Sequence, residues 1–212
     1  ESQLNTDLFH SATSLLAGEK HLLEMTSRNA PLPQILDALC YLVEQNIVGC
    51  RCSIVVLDSS GKQLQLCVAP NLPKTYNDFL LGQEVQLEGG PCAIAAKLKQ
   101  QVVIADISEE SGPQLQVWRQ HALQHKLHAC WSTPILSSVN TALGSFAIYY
   151  EQPHHPGKQQ QYLIEQFVHL AGIAIERKQA AAALQASEKL ARDQLQALSQ
   201  LAHQLMTQLI FQ

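Results

Sequence analysis

The chain has 212 residues, 46% hydrophobic and 15% charged, with a formal net charge of −4. That length holds one good domain plus accessory helices, and the balance is globular rather than disordered. A mildly acidic chain offers no basic field for nucleic acid, and no apolar run approaches the ~20 residues that cross a bilayer. No signal-peptide pattern opens the chain, so nothing points to export. It begins with Glu1 rather than Met, which reads as an excised or processed piece, any membrane anchor or output domain lying outside it. Cys40, Cys50, Cys52, Cys67, Cys92 and Cys130 are scattered through apolar stretches without a disulfide framework or paired C-x-x-C knuckles. They read as reduced thiols of a cytoplasmic protein, packed as small hydrophobes.

Residues 1–26 read as a helix, with Leu4, Leu8, Leu15, Leu22 and Met25 on a 4-3 rhythm that Ser11 and Gly18 interrupt. A second helix follows Pro31-Leu32-Pro33, because proline suits a helix's first turn. Its apolar face is Ile35, Leu36, Leu39, Leu42 and Val43. From residue 51 the period changes to two. Cys52–Asp58 and Gln63–Val68 flank the turn Ser59-Ser60-Gly61-Lys62, a β-hairpin pattern. A short helix is expected around Tyr76–Leu81, then the turn Glu88-Gly89-Gly90-Pro91-Cys92 and a small-residue helix Ala93–Lys99. Val102–Ala105 reads as a strand ended by Asp106, and Pro113–Lys126 as a helix with the stripe Leu115, Trp118, Ala122 and Leu123. Strands Ala129–Leu136 and Gly144–Tyr150 close the core. Interleaved strands and helices without tight parallel crossovers indicate an α+β sheet domain.

The last segment keeps a 4-3 seam from Leu163 through Phe167, Leu170, Ala174, Arg177, Ala181, Leu184, Glu188, Ala191, Leu195, Leu198, Ala202 and Leu205 to Leu209. Only Arg177 and Glu188 break it, and at ~1.5 Å per residue it would run roughly 70 Å. The first half can pack on its own domain. Beyond Ala180 only the N-terminal helix or a second chain could cover the seam, and a parallel homodimeric coiled coil is the expected resolution.

Lys126-Leu127-His128-Ala129-Cys130-Trp131-Ser132-Thr133-Pro134-Ile135-Leu136-Ser137-Ser138, followed by Leu143–Tyr150, resembles the GAF domains of bacterial sensor histidine kinases and related PAS/GAF signalling proteins. Ala69-Pro70-Asn71-Leu72-Pro73, Gly90–Ala96 and Ile173–Lys178 resemble them too, and the likeness spans about Leu22 to Gln179. It implies a GAF fold: a central antiparallel sheet of about six strands flanked by helices, with long N- and C-terminal helices that dimerise. The implied organisation is a linker helix at 1–27, a GAF sensory domain at 28–178 and a coiled-coil signalling helix at 179–212. The implied function is a non-enzymatic sensory module of a signal-transduction protein, such as a two-component histidine kinase. It would bind a small molecule or redox signal and relay it to an output domain outside this chain. The alternatives are a ligand-free dimerisation scaffold and an enzyme like the free-methionine-sulfoxide reductases. The ligand pocket would be walled by Gly82–Lys99, Ala105–Lys126 and the inner face of the last two strands.

Within those walls Cys92, Asp106, Trp118, His121, His125 and Cys130 are the candidate ligand-binding residues. Cys92 opens a helix, where a thiolate is stabilised. The reductases place their nucleophile in a similar turn, but they need a resolving Cys in the loop matching Asp106–Gly112, which has none. His121 and His125 are i, i+4 neighbours with His128 and Cys130 just beyond, a spacing that can bind a metal or place a haem ligand; the competing reading is a partly exposed histidine face. The Pro113–Lys126 helix has no Cys for a covalent bilin, and the Asn-Lys-Phe-Asp-Glu signature of cyclic-nucleotide GAF domains is not found. Trp118 and Trp131 serve either a pocket wall or the core. His154-His155 reads as a solvated loop. His203–Leu209 loosely echoes a kinase phosphoacceptor box, but Gln204 and Gln208 replace its acidic residue and proline, so chance within a Leu/Gln-rich helix is the better reading.

Overall fold

The structure, a computed structural model, describes the backbone of residues 2–210 and the side chains of residues 15–206. The seam residues Leu4, Leu8 and Leu209 fall outside the described side chains. The chain forms two units, Glu1–Ile175 and Glu176–Gln212.

In the first unit, α1 (Ser2–Ser27) and α2 (Leu32–Asn46) precede the hairpin β1 (Arg51–Leu57) and β2 (Leu64–Val68). Pro31 caps α2, and Pro33 sits in its first turn, where no backbone donor is missed. Then come α3 (Lys74–Leu80), α4 (Pro91–Leu98), β3 (Val102–Ile104), α5 (Gln116–Gln124), β4 (Ala129–Leu136) and β5 (Ala142–Tyr150). The helix expected from Pro113 to Lys126 starts as a 3-10 turn over Pro113–Leu115 and closes at His125. α6 (Lys158–Ile210) is one helix of 53 residues. None of the helices is long and apolar enough to cross a membrane, among the described residues.

The sheet order is β2-β1-β5-β4-β3, with every neighbouring pair antiparallel. The expected six strands are corrected to five among the described residues. Segment 82–85 lies along the outer edge of β2, through Leu64 N–H to Gln83 O (2.9 Å), Gly82 N–H to Leu64 O (2.9 Å) and Val85 N–H to Lys62 O (2.8 Å). It makes a single bridge, Gln63 to Glu84, because the chain turns away at both ends before a ladder can form.

Period-two alternation sends successive side chains to opposite faces, and both faces are covered. One carries Cys52, Ile54, Val56, Trp131, Ile135, Phe146 and Ile148 into a core with Leu36, Leu39 and Val43 of α2 and Ile164, Phe167 and Ala171 of α6. The other carries Val55, Leu57, Cys130, Ala147 and Tyr149 into a core with Tyr76, Cys92, Trp118 and Ala122. β5 is central, so eight of its nine residues are buried. At Gly144 it crosses β1 so closely that an added Cβ would stand 2.1 Å from the carbonyl oxygen of Val55. Gly144→Ala is therefore expected to cost about 3 kcal/mol in urea denaturation. Gly157→Ala, whose new methyl would meet only Gln160 Oε1 at 3.4 Å, should stay within about 0.5 kcal/mol.

Candidate functional site

The second sheet face carries an unusual number of polar groups for an interior. The strand register explains their grouping. Ser53 and Ser132 both oppose Ala147 of β5, from β1 and β4 respectively. Ser145 and Tyr149 lie two residues to either side of Ala147 on the same face. Ser53, Ser132, Ser145 and Tyr149 are all 0% exposed, so each hydroxyl has to find its partner inside.

They do so as a network. The hydroxyls of Ser132 and Ser145 are 2.5 Å apart, and that of Tyr149 lies 3.2 Å from Ser53 Oγ and 3.8 Å from Cys92 Sγ. Tyr76 of α3 meets Tyr149 edge-on, ring centroids 5.6 Å apart, and its hydroxyl accepts the indole N–H of Trp118 at 2.9 Å. Helix α4 reaches the sheet because Ala93, Ala95 and Ala96 on its buried side are small. Gly90 permits the approach at its N-terminus. It has φ +85, and a Cβ there would stand 3.0 Å from the Trp118 ring.

Three of the six residues singled out in the sequence meet here: Cys92, Trp118 and Cys130, all buried. Burial pushes the Cys92 thiol up, only partly opposed by hydrogen bonds with Ser132, Tyr149 and Ser145. Desolvation thus outweighs the thiolate stabilisation expected of a helix start. Burial likewise pushes Cys130 well up, along with the phenols of Tyr76 and Tyr149. The interior is a cluster of neutral hydrogen-bonding groups. Trp131, by contrast, packs on the other face.

The remaining three lie elsewhere. Asp106 accepts the backbone N–H of Ser108 at 2.9 Å and also its hydroxyl; these bonds hold its exposed carboxyl below the usual range, as in a loop cap. His121 stacks on Phe79 of α3 at 3.9 Å. His125 Nδ1 lies 2.8 Å from the carbonyl of His121 and its Nε2 2.8 Å from Thr75 Oγ1. The carbonyl can only accept, so Nδ1 carries a proton, and Nε2 pairs with the Thr75 hydroxyl. The i, i+4 pair therefore docks α5 onto α3 instead of converging with Cys130. No group of three or more His, Cys, Asp or Glu among the described residues is arranged to hold a metal.

Sequence reading missed Tyr76, Tyr149, Ser53, Ser132 and Ser145. Their signal was the alternation Ser145-Ala147-Tyr149 and Cys130-Ser132. Outside the network, a cleft of about 310 Å³ borders Trp118, Gly89, Val117, Phe79 and Glu88. A larger groove, about 710 Å³, opens at the hairpin turn between Asp58, Lys62, Glu84 and Lys97, and none of the six residues lines it.

An antiparallel sheet with terminal helices on one face and short helices closing a polar interior on the other defines a class of α+β domain. The sequence profile of the GAF domain family matches residues 29–176, and the chain belongs to that family. It is 33% identical over 177 residues, 84% of its length, to the methyl sulfide methyltransferase-associated sensor of Methanosarcina acetivorans. It spans only 18% of that relative's length. Its fold is similar to the GAF domain of an Acinetobacter phosphoenolpyruvate-protein phosphotransferase (TM-score 0.59, 15% identity, 80% of this chain and 97% of that one). The reduced form of Staphylococcus aureus fRMsr is similar as well (TM-score 0.56, 15% identity, 76% of this chain and 94% of that one).

The packed thiols make alkaline pH a probe of this arrangement. Burial raises Cys50 and Cys67 to about 12, whereas an unfolded thiol ionises near ~8.5. Between these values the unfolded chain binds fewer protons than the folded one, so stability falls as pH rises. Urea denaturation at pH 8 and pH 10.5 should show a loss that Cys67→Ala reduces by about 2.5 kcal/mol. Equal losses in both proteins would contradict the assignment.

Proposed function

We propose that the chain is the sensory GAF module of a signal-transduction protein, a histidine kinase being the favoured output. A change at the polar interior passes to a second copy through α6. The observation that carries this reading is the state of the seam. Its first half is spent on the domain core, with Phe167 and Ala174 buried. From Gln179 to Met206 every side chain is exposed, including Leu184, Leu195, Leu198 and Leu205 at 60–69%. A regular row of leucines left in water is costly, at roughly 1.5–3 kcal/mol of burial forgone for each. A parallel partner helix recovers it. The sensor relative at 33% identity supports the same reading.

The mechanism is a bias on dimer packing: a ligand that fits one arrangement of the interior better shifts the helix pair by that difference, typically ~1–3 kcal/mol. The proposal includes no catalysis by this chain. Cys92 is shut in, and the loop Asp106–Gly112 has no second thiol. A second reading, a dimerisation scaffold without ligand, is favoured by one observation: Tyr76, Trp118 and Tyr149 themselves occupy the space under α3, α4 and α5.

Sedimentation equilibrium tests the relay. The wild type should be a dimer, and Leu195→Lys with Leu198→Lys should weaken association at least ~100-fold while leaving the melting of the sheet domain unchanged. A monomeric wild type at high concentration would sink the relay. A metabolite panel followed by thermal shift separates the two readings, since the scaffold responds to nothing.

A further inference from the structure

Loop 151–157 joins β5 to α6, and the solvated histidine pair expected there is only half so. His155 is exposed, but His154 is half-buried. Its ring stacks on Tyr150 at 4.1 Å and on Trp131 at 5.3 Å between centroids. Its backbone N–H donates to Ala105 O at 2.9 Å, and its carbonyl accepts the indole N–H of Trp131 at 3.1 Å. Its Nε2 faces Gln160 Nε2 at 3.5 Å.

Gln160 belongs to the first turn of α6, and its amide is oriented by two further bonds. Oε1 accepts Gly157 N–H at 3.0 Å, and Nε2 donates to the Tyr150 hydroxyl at 3.1 Å. The other amide hydrogen is left for His154 Nε2, which accepts it.

The residues His154 holds are the immediate neighbours of the polar interior. Trp131 and Tyr150 follow Cys130 and Tyr149 in β4 and β5, one position over and therefore on the opposite face. Ala105 precedes Ile107, which is buried beside Cys92 and Trp118. Two strands and one loop thus connect the interior to His154, and Gln160 connects His154 to α6. We propose that His154 and Gln160 are positioning residues that couple the polar interior to the start of α6. This rests on the relay reading above and names the contact through which it runs.

The test is amide hydrogen exchange in the full chain, read at Gln161–Ile164. Trp118→Phe removes the N–H that holds Tyr76 and serves as the perturbation of the interior. In the otherwise unaltered chain it should change exchange there about fivefold, the lower end of ordinary coupling between sites. In Gln160→Ala, and in His154→Phe, which keeps a stacked ring but loses the acceptor, the same perturbation should change it less than twofold. Either variant can loosen the turn on its own account, so the readout is the response to Trp118→Phe and not the basal rate. A fivefold response surviving in both backgrounds overturns the latch and leaves the relay standing. No response in the unaltered chain overturns the relay from Trp118, and the latch with it.

Discussion

Every hydroxyl that the central strand carries inward has to be matched where it lands. β5 lies between β1 and β4 with helices over both faces, so Ser145 and Tyr149 have no water to turn to. An unmatched buried hydroxyl costs about 1–3 kcal/mol. The matches come from three other elements: Ser132 for Ser145, Ser53 for Tyr149, and Cys92 from the first turn of α4. This requirement fixes the register of three strands and the seat of α4 together. It also explains why α4 is built of alanines, since larger side chains would hold the helix off the sheet, and why it is entered through Gly90, where a Cβ would press on the Trp118 ring.

The same constraint decides what the buried thiols can do. A cysteine at a helix start invites a reactive reading, but Cys92 is packed among neutral hydroxyls and aromatic rings with no cation beside it. The cost of taking a charge out of water exceeds what the helix terminus returns. On the opposite face Cys40 and Cys52 behave alike, their sulfurs directed at the carbonyls of Val68 (3.7 Å) and Cys40 (3.5 Å). These thiols pack as small hydrophobes.

Much of the fold was legible because it is written in period. The hairpin of β1 and β2, the strands β4 and β5, and the long α6 each follow from local alternation or from a sustained 4-3 rhythm. The sheet's edge was not legible, because whether segment 82–85 forms a strand depends on how far it runs beside β2 before turning. For the site, Cys92, Trp118 and Cys130 could be selected by chemistry and position. Tyr149, Ser53 and Ser132 could not, since alone each resembles an ordinary strand residue and only cross-strand register brings them together. The histidine pair is a different case. Spacing put His121 and His125 one helical turn apart, at the end of α5 and its C-cap, but whether they meet a ligand or α3 is a matter of tertiary docking. His154 likewise gains its partners from Ala105, Trp131 and Gln160, which no local pattern connects.

The central claim, that the interior is a closed network of neutral hydroxyls, has a direct optical test. The chain has five tyrosines, and desolvation pushes the phenols of Tyr76 and Tyr149 far above their ordinary range. An ultraviolet titration of tyrosinate, run beside circular dichroism to mark unfolding, would compare wild type with Tyr76→Phe and Tyr149→Phe. The closed network predicts that each substitution removes amplitude only from the ionisation step that accompanies unfolding. Loss of amplitude from the step preceding unfolding would mean that solvent reaches these hydroxyls in the folded protein, and would contradict it.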